Sequence, residues 1–172
     1  VEYRPAVLSD LNRIMEIAAD AQSFMRSCGV DQWQDGYPTR EIFEEDIQKG
    51  RCHVISLSGA VAGVMTLQCA PEECYGHLKD GKWLTEGENY AVIHRMAVGG
   101  AFHGMGLANA MFSFAEELGT ERACKSVRAD THRDNKAMRS LLEKRGFIYC
   151  GTVFLDRRYG ERNERVCYEK LL

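Results

Sequence analysis

A chain of 172 residues is long enough for one domain with a single sizeable core, and at 45% apolar and 27% charged it has the composition of a soluble globular protein. Its formal net charge of −3 argues against a general nucleic-acid binder, which carries a basic excess or stripe. No apolar run approaches membrane-spanning length, and the opening Val1-Glu2-Tyr3-Arg4-Pro5 has no signal-peptide core, so a cytoplasmic protein is expected.

The first strand is expected over residues 2–6. Ser9 or Asp10 then caps a helix whose Leu11, Ile14, Met15, Ala18, Ala21 and Met25 keep helical spacing, and Gly29 is placed to end it. Residues 32–38 read as a loop, after which Thr39 caps a second helix carrying Ile42, Phe43 and Ile47. Two strand-like runs, 51–57 and 61–69, flank Ser58-Gly59, a hairpin signal. Residues 70–89 are polar and rich in glycine, and form a long loop. A strand follows over 90–98, then a helix from the glycine loop to about Leu118, stopped by Gly119. Residues 125–130 form another strand, 134–144 a helix with Gly146 as its left-handed end, and 147–156 and 165–171 the terminal strands, with a turn at Tyr159-Gly160. The order β-α-α-β-β-β-α-β-α-β-β predicts an α/β (α+β) mixed sheet with helices on both faces, residues 1–172 forming one domain.

Seven cysteines are an odd number without a Cys-x-x-Cys pair, and most sit in apolar-looking segments, so they read as reduced thiols. The five histidines lack the clustered spacing of a zinc site, so no metal is expected.

The densest signal runs from Met96, Ala97 and Val98 through Gly99-Gly100-Ala101-Phe102-His103-Gly104-Met105-Gly106 into Leu107, Ala108 and Asn109. An apolar strand enters a glycine-rich loop that opens a helix. Glycine lets backbone come close to a ligand, and the first N–H groups of a helix have no partner inside it. With the helix dipole added, an anion, most often a phosphate, fits there.

Together with Asp130-Thr131-His132-Arg133-Asp134-Asn135, this stretch resembles the GNAT superfamily of acyl-CoA-dependent N-acetyltransferases, in its bacterial type. The family's motif Arg/Gln-x-x-Gly-x-Gly/Ala corresponds to His103-x-x-Gly106-x-Ala108, with Val98 at the apolar position that ends the strand. Its later motif, Asn, then Tyr, then Gly-Phe, corresponds to Asn135, Leu142 and Gly146-Phe147. His103 replaces Arg/Gln, and Leu142 replaces the Tyr that often serves as general acid.

The resemblance implies acetyl-CoA as acyl donor and an amine, of a small molecule or a peptide, as acceptor. It places pantetheine and the thioester carbonyl on the backbone of Met96, Ala97 and Val98, and the pyrophosphate on N–H groups from Gly104 to Asn109, Met105 and Leu107 included. His103 would donate to a phosphate oxygen, and Asn135 would contact pantetheine or cap its helix. The acceptor ammonium must lose a proton before it attacks. Asp130, at a strand end, and His94 are the candidate bases, with Glu88 weaker; Arg128 or Arg133 is a candidate salt-bridge partner of Asp130. For the missing acid, Tyr149, Tyr159, Tyr168 or Tyr90 substitutes, or the thiolate leaves unaided. Gln32, Trp33 and Tyr37 are candidate acceptor-binding residues, and Glu72, Glu73 and Asp80 would attract a cationic amine.

Two other readings stand beside this one. A non-catalytic acyl-CoA sensor would suit the loss of the Tyr at Leu142. A dinucleotide-binding domain would share the Gly104-Met105-Gly106 turn, but Asn109 occupies the place of its third glycine. A P-loop is excluded because no Gly-Lys-Ser/Thr follows. The oligomeric state is left open, a homodimer included.

Overall fold

The computed structural model describes residues 1–155 and 164–172. Its elements follow the expected order: β1 (Glu2–Pro5), α1 (Leu11–Ser27), α2 (Arg40–Gln48), β2 (Cys52–Leu57), β3 (Ala60–Gln68), β4 (Ala91–Val98), α3 (Leu107–Glu121), β5 (Ser126–Thr131), α4 (Lys136–Lys144), β6 (Ile148–Phe154) and β7 (Glu164–Leu171). The strands form one seven-stranded sheet in the order β1-β2-β3-β4-β5-β7-β6. Every neighbouring pair is antiparallel except β4 with β5, which α3 joins by a crossover. The turn expected at Tyr159-Gly160 and the strand end expected at Asp156 lie outside the described residues.

Helices cover both faces. On one, Ile14 and Ile17 of α1 and Phe43 of α2 pack on Val54, Val64 and Ala97. On the other, Met111 and Phe112 of α3 and Leu142 of α4 pack on Leu67, Ile93, Val127 and Tyr168. A smaller cluster of Tyr75, Tyr90, Val92, Val153 and Cys167 anchors the segment between β3 and β4. Val92 and Ala97 lie on the α1–α2 side, so this segment shares that face.

Local signals explain most boundaries. Thr39 Oγ1 accepts the Ile42 N–H at 3.4 Å and starts α2. Ser58 and Gly59 both take positive φ, 50° and 80°, as a two-residue hairpin turn needs. Two expectations fail. Asp10 does not cap α1 with its side chain; it accepts the Val7 N–H at 2.9 Å and binds Arg4 instead. Gly119 does not stop α3, which runs on to Glu121. Gly119 is buried inside the helix, where a Cβ would stand 2.8 Å from Leu172 Cδ1, so glycine there admits Leu172 against the helix.

Cys52, Cys124, Cys150 and Cys167 are buried, but Cys28 and Cys69 are exposed, contrary to the apolar look of their segments. No helix among the described residues is long and apolar enough to cross a membrane.

Candidate active site

β4 and β5 pair only from Ala91–Val127 to Ile93–Ala129. Beyond that point they part, although β4 continues to Val98 and β5 to Thr131. The cause lies on the other edge of β4. Val64 faces Ala97 and Thr66 faces His94, so Arg95 and Met96 together oppose Met65, and Arg95 takes φ +48°. An extra residue of this kind bends a strand and strengthens its twist. The separation opens into a cleft of about 1870 Å³.

That cleft brings together almost all of the sequence-predicted residues: Gln32, Trp33, Tyr37, His94, Met96, Ala97, Val98, His103, Gly104, Gly106, Leu107, Ala108, Asn109, Asp130 and Asn135 line it. Met105 does not; its side chain is exposed beside the loop. Gly104 and Gly106 hold φ of +77° and +76°, and a Cβ at either would meet no protein atom within 4 Å. Gly106 is the N-cap of α3 and no side chain caps the helix, so its first N–H groups stand at the open end of the dipole.

His103 is committed differently from the expectation. Its Nε2 lies 3.1 Å from the Val98 carbonyl, and its ring packs edge-to-face with Phe24, centroids 5.4 Å apart. A neutral imidazole has one N–H, and here the carbonyl takes it, so His103 in that form offers a phosphate only a lone pair. Asn135 realises its cap role: Oδ1 accepts the Met138 N–H at 3.2 Å, and Nδ2 donates to Gln32 Oε1 at 3.1 Å. The same Gln32 oxygen also accepts Thr131 Oγ1 and the His132 N–H, which ties the loop before α2 to the ends of β5 and α4.

The two candidate bases each stand one residue past the last β4–β5 pair, His94 after Ile93 and Asp130 after Ala129. His94 Nε2 lies 3.0 Å from Glu72 Oε2, and this bond, opposed by burial, holds the Glu72 carboxyl below its ordinary value. Asp130 Oδ2 accepts the Tyr75 hydroxyl at 2.7 Å, while Oδ1 is 4.0 Å from Arg165 Nε. Arg128 and Arg133 are not its partners: they bind Glu169 and Glu164. Glu88 is exposed and outside the cleft. Glu72 and Glu73 line the cleft, but Asp80 lies away from it and accepts Thr152 Oγ1.

None of the described tyrosines expected to replace the acid faces the cleft. Tyr90 OH accepts the Glu72 N–H, Tyr168 OH sits between Arg139 and Glu143, and Tyr149 packs its ring on Tyr168. Tyr159 lies outside the described residues. Leu142 is buried against the core.

Sequence reasoning missed Asp46, Arg95 and Tyr75. Asp46 is fully buried and receives Arg95 Nε at 2.7 Å, Arg51 Nη2 at 2.9 Å and Thr66 Oγ1 at 2.8 Å. Arg95 Nη1 donates to Tyr37 OH at 2.8 Å, and burial raises the Tyr37 hydroxyl despite Arg95. Two signals pointed there: an acid on the apolar face of the second helix, and adjacent His94-Arg95 breaking strand alternation. Cys74 also lines the cleft, but burial pushes its thiol up to about 12, which leaves no thiolate nucleophile near neutral pH. No group of three metal-ligating side chains occurs among the described residues.

Against known proteins, residues 11–147 match the acetyltransferase (GNAT) family. A GNAT-family acetyltransferase from Streptococcus agalactiae 2603 superposes with a TM-score of 0.87 at 32% identity, over 99% of this chain and 95% of that one. One from Listeria monocytogenes 4b F2365 gives 0.74 at 26% identity, over 99% and 94%. The uncharacterized N-acetyltransferase YesJ of Bacillus subtilis (strain 168) is 28% identical over 151 residues, which are 86% of this chain and 81% of that protein.

Proposed function

The chain belongs to the acetyltransferase (GNAT) family and is an acyl-CoA-dependent N-acetyltransferase, and from that premise we propose that it moves an acetyl group from acetyl-CoA to a primary amine of a small molecule or peptide. The observation that carries this reading is the parting of β4 from β5 beside the uncapped start of α3.

In this reading the backbone of Met96, Ala97 and Val98, unpaired toward β5, holds pantetheine and polarises the thioester carbonyl. The N–H groups of Gly104 and of Gly106 to Asn109 hold the pyrophosphate, where the left-handed glycines leave the approach clear; the Met105 N–H is given to the Phe102 carbonyl. Asn135 shapes the wall of the same channel through Gln32. The acceptor enters on the side of Gln32, Trp33 and Tyr37.

His94 suits the base better than Asp130. His94 Nε2–H donates to the Glu72 carboxylate, so Nδ1 is the nitrogen left to accept a proton. Asp130 already receives a hydroxyl and faces a guanidinium, which suits a fixed charge that orients the acceptor's ammonium. The amine, once deprotonated, attacks the carbonyl carbon; a C–N bond forms and the C–S bond breaks. The CoA thiolate departs with the electron pair and takes its proton from solvent, which a thiol pKa near ~8.5 allows without a side-chain acid. Buried Leu142 agrees with that route.

The test is twofold. Calorimetry should find CoA binding and ignore NAD, and a thiol-release assay over a panel of amines should find one turned over. Preferential binding of NAD, or acetyl-CoA binding with no amine turned over, would reject this assignment.

A further inference from the structure

The segment between β3 and β4 carries a buried ionic clamp that the reaction as drawn does not use. Glu169 and Arg128 are 0% and 3% exposed and pair at 3.0 Å. Glu169 Oε2 also accepts the backbone N–H groups of Leu84 and Thr85, and Oε1 the hydroxyls of Thr85 and Ser126. Arg128 Nη2 donates to the Thr85 carbonyl at 2.9 Å. The guanidinium lies between two rings, 4.0 Å from Trp83 and 3.7 Å from Tyr90. A buried ion pair seldom stabilises a protein more than an apolar replacement would, so its geometry calls for another explanation.

That explanation lies at the far ends of the two rings. Trp83 Nε1 donates to the Tyr75 carbonyl at 2.9 Å, and the Tyr90 hydroxyl accepts the Glu72 N–H at 3.0 Å. Tyr75 and Glu72 are the residues that bind Asp130 and His94. The clamp therefore sets the segment's backbone, and the segment sets both side chains at the parting of the strands.

We propose that Glu72 is a positioning residue that acts through His94, and that the Arg128–Glu169 clamp fixes its place by way of Tyr90. The proposal rests on His94 being the base. Glu72 accepts the Nε2–H hydrogen bond, selects the tautomer with Nδ1 open, and stabilises the imidazolium that forms when the amine gives up its proton.

Steady-state kinetics on Glu72→Gln, His94→Gln, their double variant and Tyr90→Phe test this, with CoA affinity and thermal melts measured alongside. Glu72→Gln should lower kcat roughly 10- to 100-fold, a share of what a base contributes, with acceptor KM and CoA affinity little changed. The double variant should be no slower than His94→Gln alone. Tyr90→Phe, which keeps the ring over Arg128 and frees the Glu72 backbone, should lower kcat in the same direction by less. A raised acceptor KM at unchanged kcat would make Glu72 an ammonium-binding residue and overturn the proposal. So would losses that multiply in the double variant, or wild-type kcat in Tyr90→Phe. Full activity in His94→Gln would instead strike the base reading itself, and the proposal with it. If Glu72→Gln melts early, Glu72→Asp replaces it: a kcat between wild type and His94→Gln agrees with the proposal, and one below His94→Gln overturns it.

Discussion

Tyr75 donates its hydroxyl proton to Asp130 across 2.7 Å, from beneath the segment before β4 to the open end of β5. Burial first, and then the Asp130 carboxylate, push the Tyr75 hydroxyl well above its ordinary value, so it remains a donor throughout the working pH range. A hydrogen bond to a charged acceptor contributes about 1.5–3 kcal/mol, and Tyr75→Phe should lower stability by that amount in urea titrations. Asp130→Asn should raise the acceptor KM and leave most of kcat. A fall in kcat of roughly 10²–10⁴ at constant KM would make Asp130 the base instead of His94.

Gly106 separates ligand contact from backbone strain. Its φ of +76° costs any L residue about 1–2 kcal/mol, and Gly50, at +65° outside the cleft, carries the same penalty. Gly106→Ala and Gly50→Ala should therefore lower the melting temperature alike. Only Gly106→Ala should weaken CoA binding, because no protein atom lies within 4 Å of the added carbon and the ligand would meet it. Equal CoA affinity in the two variants would reduce Gly106 to a turn residue.

His53 predicts an acid weakness. Burial is the main reason that its pKa is lowered, with Arg122 adding to it and the hydrogen bond to the Arg51 carbonyl opposing it. A lowered folded-state value means that the native protein binds fewer protons than the unfolded chain. The stabilisation is complete above the unfolded value of 6.5 and is lost as pH falls through the folded one. Melting temperature should decline as pH drops below 6.5, and His53→Gln should flatten that decline. His132, also lowered chiefly by burial, accounts for part of what remains.

Trp33 stands at φ +61°, its ring centroid 6.2 Å from that of Tyr37 in an edge-on arrangement, and both line the cleft where the proposed function places the acceptor. Trp33→Ala should raise the acceptor KM roughly tenfold or more, the scale of one lost apolar contact, and spare CoA affinity. An unchanged acceptor KM would remove this loop from the acceptor site.

The order of elements, the cap at Thr39, the hairpin turn at Ser58-Gly59 and the glycine loop into α3 were all legible in the chain, because periodicity, capping and φ preference act over a few residues. Gly119 was misread for the same reason: a local rule makes it a helix stop, whereas its place in the fold is inside the helix, where Leu172 packs against it. The chemistry of the cleft was half legible. His94 and Asp130 were nameable as titratable groups at strand positions, but their partners were not. Glu72 lies 22 residues from His94, Tyr75 lies 55 from Asp130, and Asp46 lies 49 from Arg95. Pairings at such separations depend on which strands become neighbours and on which face a bulge turns a side chain. One extra residue at Arg95 puts His94 and Ala97 on a common face, and strict alternation along the strand would have separated them.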